Sequence, residues 1–174
     1  VNLYKRISGY PKWSLVSRIF KGYIESGFVF KLATAPGKEL YLSASSRGSQ
    51  TPPQSYLLKS ETEGVSWMTL SKKTDFEGQF IIKDIAINRK GRVFTTIQVG
   101  YDKSIVAEFV DNNFVRFPVE QNCSRDLNQT LTAFKDNFLV NTYCRRNKTS
   151  QISSVIDKTS SPVYRGRAHI NKHT

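Results

Sequence analysis

The sequence predicts an all-β protein whose strands group in fours into antiparallel sheets that repeat along the chain. Trp13 and Trp67 lie 54 positions apart, each after a polar, turn-rich run and before a short strand pattern, and Gly37 and Gly91 keep the same spacing. A weaker third copy, Phe134 to Val140, follows Gly91 at about the same interval. No segment sustains the apolar spacing of a helix, whereas alternating and β-branched runs bounded by Gly, Pro, Asn and Asp recur throughout. A period of roughly 40 to 50 residues built from strands and tight turns is that of propeller blades. The expected architecture is therefore β-propeller-like, with residues 1–168 as one β domain and 169–174 as an unpatterned, disordered tail.

The elements read in order as follows. Phe28 to Leu32 and Glu39 to Ala44 form a hairpin turning at Ala35-Pro36-Gly37; after a Ser-, Gly- and Pro-rich loop, Tyr56 to Lys59 pairs with Val65 to Leu70. The second group is the clearest. Phe80 to Ile87 turns at Asn88 to Gly91 into Arg92 to Val99, and Ser104 to Val110 turns at Asp111-Asn112-Asn113 into Phe114 to Phe117. Leu131 to Phe134 then pairs with Phe138 to Tyr143, and Ile152 to Ile156 with Val163 to Arg165. Two opening strands and three groups of four make about three and a half blades. Half a blade cannot close a ring, and its edges would be adhesive. Either the chain is a fragment of a propeller, or a second copy or another chain completes a partial one, or the third repeat is misassigned.

One turn has a recognisable composition. Ser60-Glu61-Thr62-Glu63-Gly64-Val65-Ser66-Trp67 resembles the Asp-box, S-x-D-x-G-x-T-W, of sialidase-type propellers: Ser60, Gly64 and Trp67 match, Ser66 replaces Thr, and Thr62 stands where Asp is expected. The chemistry of such a turn is structural. A short polar side chain caps backbone N–H groups, Gly accepts positive φ, and Trp packs between blades. A β-hairpin turn that merely ends in Trp is the plainer explanation of the same residues. The family's activity does not carry over. Arg116-Phe117-Pro118 resembles its first arginine motif but lies downstream of the box, and no recognisable set of catalytic carboxylates accompanies it. A sialidase-like glycoside hydrolase, or a fragment of one, stands as the alternative reading.

A net charge of +12 from 26 Lys and Arg against 14 Asp and Glu favours an acidic protein or an anionic glycan as partner. Basic and aromatic residues are not interleaved on any one strand, which argues against nucleic acid. No run approaches the roughly 20 apolar residues of a membrane helix, and Lys5, Arg6, Pro11 and Lys12 do not suit a signal peptide. Cys123 and Cys144 flank the third repeat without metal-type spacing; either they form a disulfide, as in an exported protein, or they are two unrelated thiols. Sequons at Asn122, Asn128 and Asn147 crowd the same segment, as glycans on a surface loop would. His169 and His173 have i, i+4 spacing but no acidic neighbours, so no metal or cofactor is expected.

These features point to a non-catalytic, secreted or periplasmic recognition protein, an inhibitor or immunity-type protein among them. Tyr101, Lys103, Arg116, Tyr143, Arg145, Arg146 and Tyr164 are the candidate binding residues, because Tyr and Arg dominate binding hot spots. Solvated strand ends are the alternative for each of them.

Overall fold

The computed structural model describes residues 2–6, 8–19, 29–45, 55–71, 80–100, 103–117, 119, 127–144, 148–156 and 159–167. These hold fourteen strands, and among the described residues there is no helix. A short hairpin, β1 (Asn2–Lys5) and β2 (Ser14–Arg18), comes first. The first four-stranded sheet contains β3 (Val29–Thr34), β4 (Leu40–Ser45), β5 (Ser55–Ser60) and β6 (Met68–Ser71). The second contains β7 (Phe80–Ile87), β8 (Val93–Val99), β9 (Lys103–Val110) and β10 (Asn113–Phe117). The third contains β11 (Leu127–Phe134), β12 (Asn137–Cys144), β13 (Thr149–Ile156) and β14 (Thr159–Arg167). Each sheet is an antiparallel meander in chain order, so the expected grouping of two, four, four and four strands is the observed one. The described sheets do not close into a ring.

The sheets stack through their faces, and three apolar clusters lie between successive layers. Ile82, Ile85, Ile87, Val93, Ile97 and Ile105 of the second sheet pack with Leu57 and Ala35 of the first. From the opposite face of the second sheet, Ala86, Phe94, Val106 and Phe117 pack with Leu131, Phe138 and Val140 of the third. The third cluster joins Leu3 and Ile19, on and beside the N-terminal hairpin, to Leu42 and Leu58. Alternate side chains of one strand thus serve two different cores, which is why β7 to β9 read as nearly continuous apolar runs. Phe94 is fully buried and meets Phe138 at 4.1 Å and Phe117 at 5.4 Å between ring centroids.

A bulge in β7 makes this sharing work. Ile82 pairs Ile97 and Asp84 pairs Thr96, so Lys83 is the extra residue. Without it, Ile82 and Ile85 would face opposite ways; with it, both join Ile87 in one core.

The bends at Gly37 and Gly91 do not correspond as the spacing suggests. In the β3–β4 turn Ala35 donates its N–H to Glu39 O at 2.8 Å, and Lys38 donates to Ala35 O at 3.0 Å. In the β7–β8 turn Asn88 donates to Arg92 O at 3.2 Å, and Gly91 to Asn88 O at 3.0 Å. Lys38, at φ 72°, is therefore the counterpart of Gly91 at φ 76°, and Gly37 lies one place before it. The two turns match in backbone, not in which residue is glycine. The β11–β12 turn is shorter, Phe134 pairing directly with Asn137 across Lys135 and Asp136.

The Ser60–Trp67 turn is a densely capped loop. Ser60 Oγ accepts the N–H of Gly64 at 2.8 Å and that of Thr62 at 3.3 Å. Thr62 Oγ1 accepts the Ser66 N–H at 2.8 Å, which is the capping task expected of the motif's third position. Trp67 Nε1 donates to Gly64 O at 3.0 Å and reaches Ser17 Oγ of β2 at 3.3 Å. Gly64 holds φ 90°, and a Cβ there would stand 2.4 Å from Leu3 Cδ2. The φ angle favours glycine, and a side chain here would also have to displace the Leu3 methyl. Trp13 precedes β2 as Trp67 precedes β6, but it is 63% exposed while Trp67 joins the core beside Tyr56.

Phe94→Ala is expected to lower the free energy of unfolding by about 3–5 kcal/mol, read from urea denaturation, because it opens a cavity between two sheets. A second expectation concerns Lys5 and Glu63, an exposed ion pair between β1 and the Ser60–Trp67 turn. The hydrogen bond from Lys5 holds the Glu63 carboxyl below its ordinary value of 4.5. A depressed carboxylate stabilises the folded state above that ordinary value and loses the contribution as the pH falls below it. Amide exchange of Asn2–Lys5, corrected for its intrinsic pH dependence, should therefore rise below pH 4.5 in the wild type and not in Glu63→Gln.

Candidate binding face

The first strands of the three sheets, β3, β7 and β11, contact one another in sequence, and Asp84 lies at their junction. This residue lies inside β7, where the bulge turns its carboxylate across the sheet interface. Oδ2 accepts the Leu131 N–H of β11 at 2.9 Å, Oδ1 accepts the Ile85 N–H at 3.1 Å, and Lys31 Nζ of β3 stands 4.0 Å away. One half-buried carboxylate thereby links all three sheets.

At one end of the stack the intrasheet hairpin turns come together. Asn88 Nδ2 donates to Asp136 O at 2.7 Å and the Arg89 N–H donates to Lys135 O at 3.1 Å, locking the first turns of the second and third sheets. Asn88 Oδ1 also accepts the N–H groups of Lys90 and Arg92, both at 3.0 Å, so the side chain organises its own turn. Each first turn projects exposed cations: Lys38 in the first sheet, Arg89 and Lys90 in the second, Lys135 in the third. Arg92 is engaged within its sheet, its guanidinium paired to both Glu108 oxygens at 2.7 and 3.0 Å and stacked over Phe94. Among the resolved contacts Lys90 reaches Asp136 at 3.9 Å, with both side chains more than half exposed, so the pair is worth little.

The opposite end carries part of the sequence-predicted face. Lys103 opens β9 and Tyr143 stands next to the end of β12; Lys103 is exposed and Tyr143 half-buried. Beneath them runs a buried polar chain, in which Ser104 Oγ meets Gln129 Oε1 at 2.9 Å and Gln129 Nε2 meets Thr142 Oγ1 at 3.5 Å. The structure therefore brings Lys103 and Tyr143 to the same end of adjacent sheets. Arg116 is not with them: it is exposed next to the end of the edge strand β10, opposite Ala107 in the middle of β9. Tyr164 lies in the edge strand β14, where its backbone pairs with Ile152. Tyr101, Arg145 and Arg146 lie outside the described residues.

Cys144 is disulfide-bonded, and the chain's other cysteine, Cys123, lies outside the described residues. Asn128 is not on a loop. It is a rung of β11 opposite Tyr143, because Leu127 and the polar residues Asn128, Gln129 and Thr130 continue the ladder. Asn122, Asn147, His169 and His173 lie outside the described residues. Among the described residues no group of three or more His, Cys, Asp or Glu could hold a metal ion, and no helix is long and apolar enough to cross a membrane.

Asp84→Ala removes the acceptor of the Leu131 N–H at a sheet interface, with an expected loss of about 1–3 kcal/mol of stability. Asp84→Asn, which keeps one acceptor oxygen, should recover part of it. Urea denaturation of the two variants against wild type measures the difference.

No protein-family model matches the sequence, and no curated protein does either. Among solved structures, the chain is similar to a crystal structure of a protein of unknown function from Dyadobacter fermentans DSM 18053, with a TM-score of 0.56 and 13% sequence identity. The match covers 87% of this chain and 47% of that one, so the chain spans about half the length of its structural neighbour. The likeness is one of fold.

Proposed function

We propose that this protein is a non-catalytic, exported recognition module that holds a polyanionic partner, an acidic protein or an anionic glycan, against the hairpin-turn end of a propeller-type stack of sheets. The observation that carries the reading is the rim of Lys38, Arg89, Lys90 and Lys135, one or two cations from the first turn of each sheet. Arg89 and Lys135 are joined through backbone, which fixes their two turns against each other, and the exposed Lys90–Asp136 pair offsets only part of the positive charge there. Rigid placement lowers the ordering cost of binding, and a net charge of +12 steers anions to the surface. The capped Ser60–Trp67 turn supports kinship with Asp-box propellers, and the disulfide at Cys144 supports an oxidising compartment.

Isothermal titration with a sulfated oligosaccharide and with an oligoglutamate peptide tests the proposal. At least one probe should bind with an affinity that falls as salt rises. The double variant Arg89→Glu, Lys135→Glu should bind at least about tenfold more weakly, roughly 1.4 kcal/mol or more. Equal binding by wild type and double variant would remove the rim from the proposal. Turnover of a fluorogenic sialoside, abolished by Arg116→Ala, would replace it with the glycosidase reading.

A further inference from the structure

The N-terminal hairpin covers only part of the sheet it packs against. Leu32, Leu42 and Leu58 are cross-strand neighbours in β3, β4 and β5 and therefore face the same way. Leu58 and Leu42 are 4% and 5% exposed, but Leu32 is 49% exposed. The row starts under the hairpin and ends in solvent. Beside it lies an open cleft of about 390 Å³ whose walls include Leu3, Val16, Leu32 and Leu40. Lys5 and Lys38 stand at its rim with Glu63.

The edge of β1 that faces away from β2 pairs with no strand among the described residues. In the first sheet the corresponding place is filled. β5 and β6 flank the capped turn before Trp67 as β1 and β2 flank the run before Trp13, and the far edge of β5 is taken by the β3–β4 hairpin. The N-terminal pair thus stands where the outer half of a four-stranded sheet would stand, and no inner half is present among the described residues. A partner that fills the cleft must satisfy backbone N–H and C=O groups along β1 and lay an apolar row on Leu32. Strand addition meets both requirements, and a compact small molecule meets only the second.

We propose that the free edge of β1 is a docking site for an antiparallel β-hairpin of another polypeptide. This hairpin extends β1–β2 into a fourth four-stranded sheet and closes the cleft over Leu32. Its inward residues are apolar and alternate with polar ones, and an acidic residue at its turn meets Lys38. The structural neighbour is a longer chain, of which this one covers 47%.

The chain's own β3–β4 hairpin, residues 29–45, is the probe, because it already adds to β5 in this manner. A copy joined ahead of residue 1 by a flexible Gly/Ser linker is present at roughly millimolar effective concentration, so dilution does not limit docking. In this fusion the amides of Asn2–Lys5 should exchange at least tenfold more slowly than in a fusion carrying the same residues scrambled. Proline in place of the central leucine of the added copy should abolish the protection. Equal exchange in the native-order and scrambled fusions overturns the proposal. So does concentration-dependent protection of β1 in the unfused chain at twice the monomer mass, which would assign the edge to a second copy.

Discussion

An antiparallel sheet with aliphatic side chains on both faces is stable in water only when both faces are covered, and the sheet from β7 to β10 is of this kind. Ile82, Ile85, Ile87, Ile97 and Ile105 face the first sheet, and Phe94, Val106 and Phe117 face the third. Neither neighbour can be removed without exposing a row of large side chains. The stack therefore forms around its middle layer, and the outer layers are positioned by it. The bulge at Lys83 belongs to the same constraint, since a regular strand would turn Ile82 away from Ile85 and Ile87.

Polar groups then fix how the layers are aligned. Apolar packing tolerates sliding, but a buried hydrogen bond across two sheets does not, because breaking it leaves a desolvated group. Asp84 on the Leu131 N–H, Asn88 on Asp136 O, and Gln129 between Ser104 and Thr142 pin the second and third sheets at the middle and at both ends. The first and second sheets share a comparable bridge, Ser55 Oγ accepting the Ile82 N–H and donating to Phe80 O. With alignment set in this way, turns far apart in sequence present their side chains in a fixed relation to one another.

The layers were legible because burial leaves a pattern. β7 to β9 stand out as long apolar runs, and the hairpins of the first sheet as alternation closed by Gly and Pro. The strands of the third sheet are longer than their apolar residues indicate. Gln129, Gln151 and Ser153 are buried polar residues satisfied by hydrogen bonds, so their strands extend through segments that look like loops. Glycine misled at the first bend, where lysine takes the left-handed conformation instead. The cationic rim was invisible for a different reason: its members sit at positions 38, 89, 90 and 135, and no run of basic residues exists to announce it. Only the stacking of the sheets brings their turns to one end.

Lys38 and Lys135, two of the rim cations, hold φ angles of 72° and 55°. An L-residue in that region carries a steric penalty of about 1–2 kcal/mol, which glycine would not incur. Both turns would relax with glycine in place, yet each would then lose its positive charge. At these two sites thermodynamic stability and surface potential are in opposition, a trade-off usually found where selection acts on recognition instead of on folding. A consensus-style stabilisation of this scaffold would begin by erasing two of the cations on which the proposed anion recognition rests.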